Sequence, residues 1–385
     1  RTGYAELVTP GGGALREDDT VVMRVAVDPP QAITLWPGYL RGATLERFDG
    51  TVWRPALRRW RPLGRSRAGF GIARPRARHG GQATEPHLLY QTIYLEPIGA
   101  PVIFAAPEPL TINIPVPNLY LRDDGAITRA AWQTGRVRYE AVSDIPRWTA
   151  AELRATARVG QGADPTLIAL PSPLPERARA LAERVTRPGG QARRSRSPYD
   201  AARALESFFR NEFRYTLDPG PVPPGVDPTL HFLFTRRAGH CQDFSSAMAL
   251  LLRQLGIPCR VAFGFLRGEW NGAGGYYVIR ASDAHAWVEV RLAGAGWVIF
   301  DPSPRARAAG GPGTFAAWTR QNWDWLNLQW NRYVLTYDLE RQIEVTTAAT
   351  QRSVTFSHRL RSRFMDRLRA LVSPLVGADL HPPQA

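Results

Sequence analysis

The chain contains no lysine: all 49 basic residues among its 385 are arginine. Guanidinium groups stay protonated near neutral pH, so apart from its α-amino group the chain offers no primary amine that could act as a nucleophile. Cysteine is almost as scarce, limited to Cys241 and Cys259. Two cysteines build no disulfide framework. A bridge between them is also geometrically poor, since a helix from 241 to about 255 spans roughly 20 Å and a disulfide needs Cα atoms within about 7 Å. Cys241 therefore reads as a free thiol, and Cys259 as a small core residue opening a strand. No run of about 18 uncharged apolar residues is present; the longest candidate, 247–266, is interrupted by Arg253, Pro258 and Arg260. The sequence accordingly reads as soluble. It begins at Arg1, without an initiator methionine or a signal-like segment, and so reads as a piece of something longer. Internal repeats, a calcium-type Asp-x-Asp-x-Asp-Gly loop and a Gly-rich phosphate loop are all missing. His240, Cys241 and Cys259 are too few ligands for zinc. The expectation is a protein without metal or cofactor.

What is present bounds the class. A chain of 385 residues exceeds the usual ceiling for one hydrophobic core, so two or three domains are expected. Hydrophobic content of 44% and twelve tryptophans exclude global disorder. The formal charge of +15 invites a nucleic-acid reading. Its densest cluster, between Arg54 and Arg78, is loop-like and carries no zinc-finger, helix-turn-helix or RNA-recognition signature. No nucleic-acid partner is expected; solvated charge, or attraction to anionic lipid headgroups, accounts better for the arginines.

Residues 1–145 read as a β-rich domain of sandwich type. Segments 21–27, 88–95 and 137–142 have strand composition, and Asp49-Gly50 and Asp124-Gly125 give turn signals. A Pro- and Gly-rich connector with one short helical stretch follows to 176. Two helices are predicted next, over 176–185 and 199–213. The second has Ser197 as its N-cap, Pro198 at the first helical position and Asp200 in the first turn. After a Pro/Gly loop at 218–227, a longer helix is predicted from 241. Phe244, Met248, Leu251, Leu252 and Leu255 form its apolar stripe, and Gly256-Ile-Pro258 ends it. Strands are predicted over 260–266, 276–280, 284–292 and 297–300, separated by Gly-rich turns. This is an α+β core with an antiparallel sheet, taken to run from 146 to 310. Residues 311–385 read as an aromatic and then basic tail, helical from about 357 to 372.

Three residues carry the chemistry. Cys241 sits at the start of the long helix, after Gly239, where free N–H groups and the helix dipole favour a thiolate. The same N–H groups can receive the charge of a tetrahedral intermediate. His285 lies 44 residues on, in a strand where it alternates with Asp283 and Trp287. Asp301 follows after 16 more, in Gly296-Trp-Val-Ile-Phe-Asp-Pro302. A thiol nucleophile, an imidazole base and a carboxylate that fixes the imidazole tautomer can together carry acyl transfer through a thioester. Taken singly, each residue has a plain reading: a buried core cysteine, a satisfied strand histidine, a turn aspartate. Their order makes the set informative. His240 is set aside as a distractor, on the reasoning that two adjacent residues cannot both point at one site.

With these residues in hand, the chain resembles the transglutaminase-like superfamily, which has a papain-like core. The strings that carry the resemblance are Arg237-Ala-Gly-His-Cys-Gln-Asp-Phe-Ser245, Leu252-Arg-Gln-Leu-Gly-Ile-Pro-Cys-Arg-Val261, Asp283-Ala-His-Ala-Trp-Val-Glu-Val290 and Gly296-Trp-Val-Ile-Phe-Asp-Pro302. More narrowly, it is similar to the extracytoplasmic region of bacterial membrane-embedded transglutaminases of the TgpA type. Looser matches lie at Arg47-Phe-Asp-Gly-Thr-Val-Trp53, Phe213-Arg-Tyr-Thr216 and Trp330-Asn-Arg-Tyr-Val-Leu-Thr-Tyr-Asp338. The resemblance implies a cysteine-bearing helix packed on an antiparallel sheet, and flanking transmembrane helices elsewhere in the whole protein. It also implies a site on the outer face of a bacterial cytoplasmic membrane. Partners would be a glutamine-bearing protein or peptide as acyl donor and an amine as acceptor, with cell-wall material as a further candidate. A cysteine peptidase or amidase using the same three residues is the alternative enzyme. A non-catalytic binding or sensing module is the alternative of another class.

Overall fold

A computed structural model describes residues 18–304, apart from 30–32, 56–59, 73–77, 80–81, 84–85, 131–134, 157–163 and 188–196. All of these belong to one unit, Arg1–Thr314. The tail from 311, the helix expected at 357–372, the string at 330–338 and parts of the arginine-rich segment lie outside the described residues.

The helix that begins at the cysteine, Cys241–Gln254, is buried on almost every side. Its stripe of Phe244, Met248, Leu251 and Leu252 is sequestered from solvent, and each such side chain contributes roughly 1.5–3 kcal/mol by leaving water. Ala247, Ala249, Ser245 and Ser246 on the remaining faces are small enough to let neighbouring elements approach closely. Trp53, fully buried, donates its indole N–H to Ser246 Oγ at 2.8 Å. Gly256, at φ +70°, turns the chain out of the helix. Glu176–Thr186 and Pro198–Glu212 form the two expected helices and pack against it. The second is capped as expected, with Ser197 Oγ accepting the Asp200 N–H at 3.1 Å.

On its other side the cysteine helix faces a four-stranded antiparallel sheet in the order Tyr39–Leu45, Cys259–Leu266, Ala284–Leu292, Gly296–Phe300. The last three are the predicted strands. The first comes from the N-terminal region. In return, Tyr276–Arg280 leaves the core sheet and pairs with Val21–Asp28, extending an eight-stranded sheet that also contains Leu88–Leu95 and Val137–Asp144. A second, four-stranded sheet contains Leu119–Arg122 and Ile127–Arg129. The β-rich N-terminal region and the α+β core are therefore both present, and strand pairing crosses between them at two places.

Buried charge fastens the borrowed strand. Glu289 receives Arg260 Nη2 at 2.7 Å from the adjacent strand and Arg41 Nη1 at 3.4 Å from the borrowed strand beyond it. Arg260 Nη1 also donates to the Asp124 carbonyl at 2.8 Å. Charges buried this deeply are tolerated only when mutually paired; burial pushes Glu289 upward, but the two guanidiniums hold it below the usual carboxylate range. Gly264 lies opposite His285 in the sheet, and a Cβ there would collide with the Leu40 carbonyl. A glycine at this position lets the borrowed strand close onto Cys259–Leu266, the strand that carries the histidine strand on its other edge.

Ahead of the cysteine the chain forms a short helix, Pro228–His231, running into a wider turn at Phe232–Arg236 that the sequence reading did not anticipate. Ala238–Gly239 then pairs in parallel with Arg214–Tyr215, placing Tyr215 opposite Gly239. Asp283 does not share the strand face with His285, as its spacing had implied. It sits in a single 3₁₀ turn, Ala281–Asp283, where its carboxylate accepts the Arg280 N–H at 2.8 Å. An acidic side chain beside an open N–H folds back locally rather than continuing the pleat.

Candidate active site

Cys241, His285 and Asp301, drawn from the helix terminus, the third strand and the end of the fourth, meet in one place. Both ends of the imidazole are engaged. His285 Nε2 lies 3.0 Å from Asp301 Oδ2, and the imidazole is also hydrogen-bonded to the Cys241 thiol. All three residues are buried: 4% of Cys241, 8% of His285 and 5% of Asp301 is exposed. Low-dielectric surroundings strengthen each charge contact here.

Burial alone would raise the Cys241 thiol, but hydrogen bonds from His240 and His285 and their charges outweigh it and bring it down to about 6. For His285, burial opposes the charge; Asp301, through its charge and hydrogen bond, together with Cys241, drives the imidazole up to about 10. Asp301 is held below its usual range, where burial is overcome chiefly by the charge of His285. The resting state near neutral pH is thus a thiolate–imidazolium pair, whose titration belongs to the pair rather than to either member. Cys259 supplies the contrast: burial pushes its thiol up to about 11, and it donates to the Ala249 carbonyl at 3.3 Å. Both cysteines are free.

His240 is not the bystander that adjacency suggested. It is fully buried at the N-cap of the cysteine helix, with extended backbone (φ −109°, ψ 177°), while Cys241 is already helical. The change of backbone direction between them lets both side chains reach the sulfur, which the imidazole of His240 joins by a hydrogen bond. Asp243 accepts the His240 backbone N–H at 3.1 Å and pairs with Arg236 at 3.2 Å, fixing the helix start.

Asp301 is positioned by groups that sequence reading missed. Tyr39 Oη donates to Asp301 Oδ2 at 3.1 Å, and the Ser303 N–H donates to Oδ1 at 3.1 Å. Glu206, buried on the helix Pro198–Glu212, accepts the Asp301 backbone N–H at 3.0 Å. Arg210, one turn further along, donates Nε to the Asp301 carbonyl at 2.7 Å and pairs with Glu206. Arg203 pairs with the same glutamate. The only sequence signal for Glu206 was a carboxylate next to the apolar stripe of its helix. Tyr39 had none, because its partner lies 262 residues away.

Chemically, a depressed thiol against an imidazolium at a helix N-terminus is equipped to attack a carbonyl carbon. Among the described residues no group of three or more His, Cys, Asp or Glu is arranged to hold a metal ion.

Comparison with known proteins bears on the same residues. The family model of the transglutaminase-like superfamily core matches 179–302, and that of the TgpA N-terminal domain matches 1–150. A protein-glutamine gamma-glutamyltransferase of Pseudomonas aeruginosa is 31% identical over 375 residues, covering 89% of this chain and 50% of that protein. YebA of Bacillus subtilis, described as uncharacterized, is 36% identical over 140 residues, or 35% of this chain and 18% of that protein. The chain thus spans half the length of the first relative and less than a fifth of the second. The crystal structure of the periplasmic domain of TgpA from Pseudomonas aeruginosa superposes with a TM-score of 0.57 at 30% identity, covering 78% of this chain and 93% of that one. Matches at both ends of the described region, and to a solved domain over nearly its whole length, give one conclusion: the chain belongs to the transglutaminase-like superfamily, in its TgpA-type branch.

Proposed function

We propose that the chain is the catalytic part of a cysteine-dependent acyltransferase of the protein-glutamine γ-glutamyltransferase type, with Cys241, His285 and Asp301 as its catalytic residues. The observation that carries this reading is the convergence of Cys241, first residue of its helix, with a buried His285 whose Nε2 lies 3.0 Å from Asp301 Oδ2; the lowering of the thiol to about 6 supports it. The Cys241 thiolate attacks the side-chain amide carbon of a glutamine, forming a C–S bond as the carbonyl π electrons move to oxygen. Collapse of the tetrahedral intermediate expels ammonia, which takes its proton from His285. The neutral imidazole then deprotonates an amine or a water, which attacks the thioester and regenerates the thiolate. Asp301 keeps the Nε2 face of the ring engaged throughout, so the other nitrogen stays directed at sulfur.

The whole protein acts on the extracytoplasmic side of a bacterial cytoplasmic membrane, as supported by the periplasmic origin of the solved TgpA domain. No helix among the described residues is long and apolar enough to cross a membrane, and anchoring is assigned to parts of the protein outside this chain. Incubation with a glutamine-bearing peptide and a labelled primary amine tests the reading, with amine incorporation and ammonia release followed separately. Ammonia release should equal or exceed amine incorporation, the excess being hydrolysis of the thioester, and both should vanish in Cys241→Ala. Cleavage of peptide bonds without ammonia release would instead identify a peptidase.

A further inference from the structure

His285 and Asp301 meet at a single carboxylate oxygen, and a donor from the N-terminal region bonds the same atom. His285 Nε2 lies 3.0 Å from Asp301 Oδ2, and Tyr39 Oη donates to that oxygen at 3.1 Å. Tyr39 opens the borrowed strand Tyr39–Leu45, within the stretch matched by the N-terminal family model, whereas His285 and Asp301 lie within the stretch of the core model. The phenol is held from several sides. Its backbone pairs with Leu266 in the sheet, and its carbonyl accepts the Trp36 indole N–H at 3.1 Å. The preceding carbonyl, of Gly38, accepts the Arg267 N–H at 2.6 Å. The Tyr39 ring packs against that of Trp287 at 51°, with centroids 4.9 Å apart. Trp287 is itself fully buried, two residues beyond His285 on the same strand.

We propose that Tyr39 is a positioning residue for acyl transfer: by holding the oxygen that His285 uses, it sets the orientation of the Asp301 carboxylate and moderates its hold on the imidazole proton. This inference rests on the acyl-transfer reading above and deepens it, because it makes the N-terminal region part of the catalytic unit rather than its neighbour. The torsion that turns an aspartate carboxylate is soft and broad. Here the Ser303 N–H holds Oδ1 at 3.1 Å, and the two lone pairs of Oδ2 are divided between the phenol and the ring. The phenol O–H also points the positive end of its dipole at the carboxylate. It therefore stabilises the anion and opposes positive charge on the imidazole beside it. That opposition has a use. Against burial, Asp301 drives the imidazole up to about 10, and a ring that held its proton more tightly still would be a poorer acid for the departing ammonia. The other titratable groups facing this pair are Cys241 and His240 at the start of the cysteine helix, Glu206 and Arg210 on Pro198–Glu212, and Tyr215 on its short strand. A substitution at Tyr39 alters none of them.

Tyr39→Phe keeps the ring against Trp287 and deletes only the hydroxyl. The titration of His285 is followed by NMR in the resting protein with isotope-labelled histidine, its signal assigned by loss in His285→Ala, while circular dichroism checks the fold of each variant. With one donor removed from Oδ2, the midpoint should rise by about one pH unit. Ammonia release from a glutamine peptide should fall about threefold in kcat, with KM unchanged. A double variant separates this role from plain packing. Because the hydroxyl acts through the carboxylate, the same substitution in the Asp301→Asn background should move the midpoint by well under half as much. An unmoved or lowered midpoint in Tyr39→Phe, an equal shift in the Asp301→Asn background, or a parental kcat would overturn the proposal. The titration uses no acyl donor, so the two readings separate. If the parent protein turns over no glutamine peptide yet His285 shifts as expected, the glutamine reading fails and the role of Tyr39 stands; if ammonia is released and His285 does not shift, the reverse holds.

Discussion

The two cysteines differ in acidity by a factor on the order of 10⁵, one thiol at about 6 and the other at about 11. At pH 7 about nine-tenths of Cys241 is thiolate, against about one part in 10⁴ of Cys259, an advantage of roughly 10⁴ for Cys241. The more acidic thiolate is intrinsically the weaker nucleophile, and a Brønsted slope of about 0.4–0.5 takes back a factor of roughly 10² or a little more. Cys241 should therefore be alkylated by iodoacetamide about 30- to 100-fold faster than Cys259 at pH 7, before any difference in access. Brief labelling followed by peptide mapping measures both rates in one sample. The sign of the pH dependence is also fixed. Cys241 labelling should rise as pH climbs through about 6 and then level off, whereas Cys259 labelling should still be rising toward about 11. In His285→Ala the Cys241 profile should move to higher pH, because a hydrogen bond and a positive charge leave the sulfur together. Equal labelling of the two cysteines at pH 7, or an unmoved midpoint in His285→Ala, would refute the reasoning.

Acyl transfer should follow a bell-shaped pH profile, gained as Cys241 ionises through about 6 and lost as His285 gives up its proton through about 10; a rate still rising beyond pH 11 would contradict the ion-pair description. His285→Ala should abolish turnover with the fold retained, and Asp301→Asn should leave partial activity, as read by ammonia release beside circular dichroism. Glu206→Ala removes the acceptor of the Asp301 N–H and leaves it buried, which should cost about 1–3 kcal/mol of stability by denaturant titration and lower kcat more than it changes KM. Incubated alone, the chain should form no covalent multimers, because it has no lysine to attack its own thioester; an internal isopeptide bond found by mass spectrometry would refute this.

What could be read from the sequence was whatever local pattern determines. Ser197-Pro198 with Asp200 announced a helix start, the stripe from Phe244 to Leu252 announced the buried helix, and Gly-rich turns bounded the strands around His285. Cys241, His285 and Asp301, the residues proposed as catalytic, could be singled out because each falls at the end or interior of an element whose type was itself legible. Long-range pairing was hidden. Nothing in Tyr39–Leu45 says that it closes against Cys259–Leu266, nor in Tyr276–Arg280 that it leaves for Val21–Asp28. Strand composition fixes which residues form a strand but not which neighbour it chooses. For the same reason Tyr39, Glu206 and Arg210 were invisible as supports of Asp301, their partners lying 262, 95 and 91 residues away. His240 was misjudged on different grounds. Adjacent side chains diverge within one helix or one strand, but these two straddle the boundary between extended and helical backbone.

The central claim is a glutamyl thioester on Cys241, and direct trapping of that species tests it most simply. The protein is mixed with a glutamine-bearing peptide in the absence of any amine, quenched in acid within one turnover, digested and mapped by mass spectrometry. The account predicts that the peptide containing Cys241 gains the mass of the donor less one ammonia, that added amine discharges it, and that His285→Ala abolishes it. Ammonia release at a normal rate with Cys241 never modified, or with turnover surviving in Cys241→Ala, would contradict it.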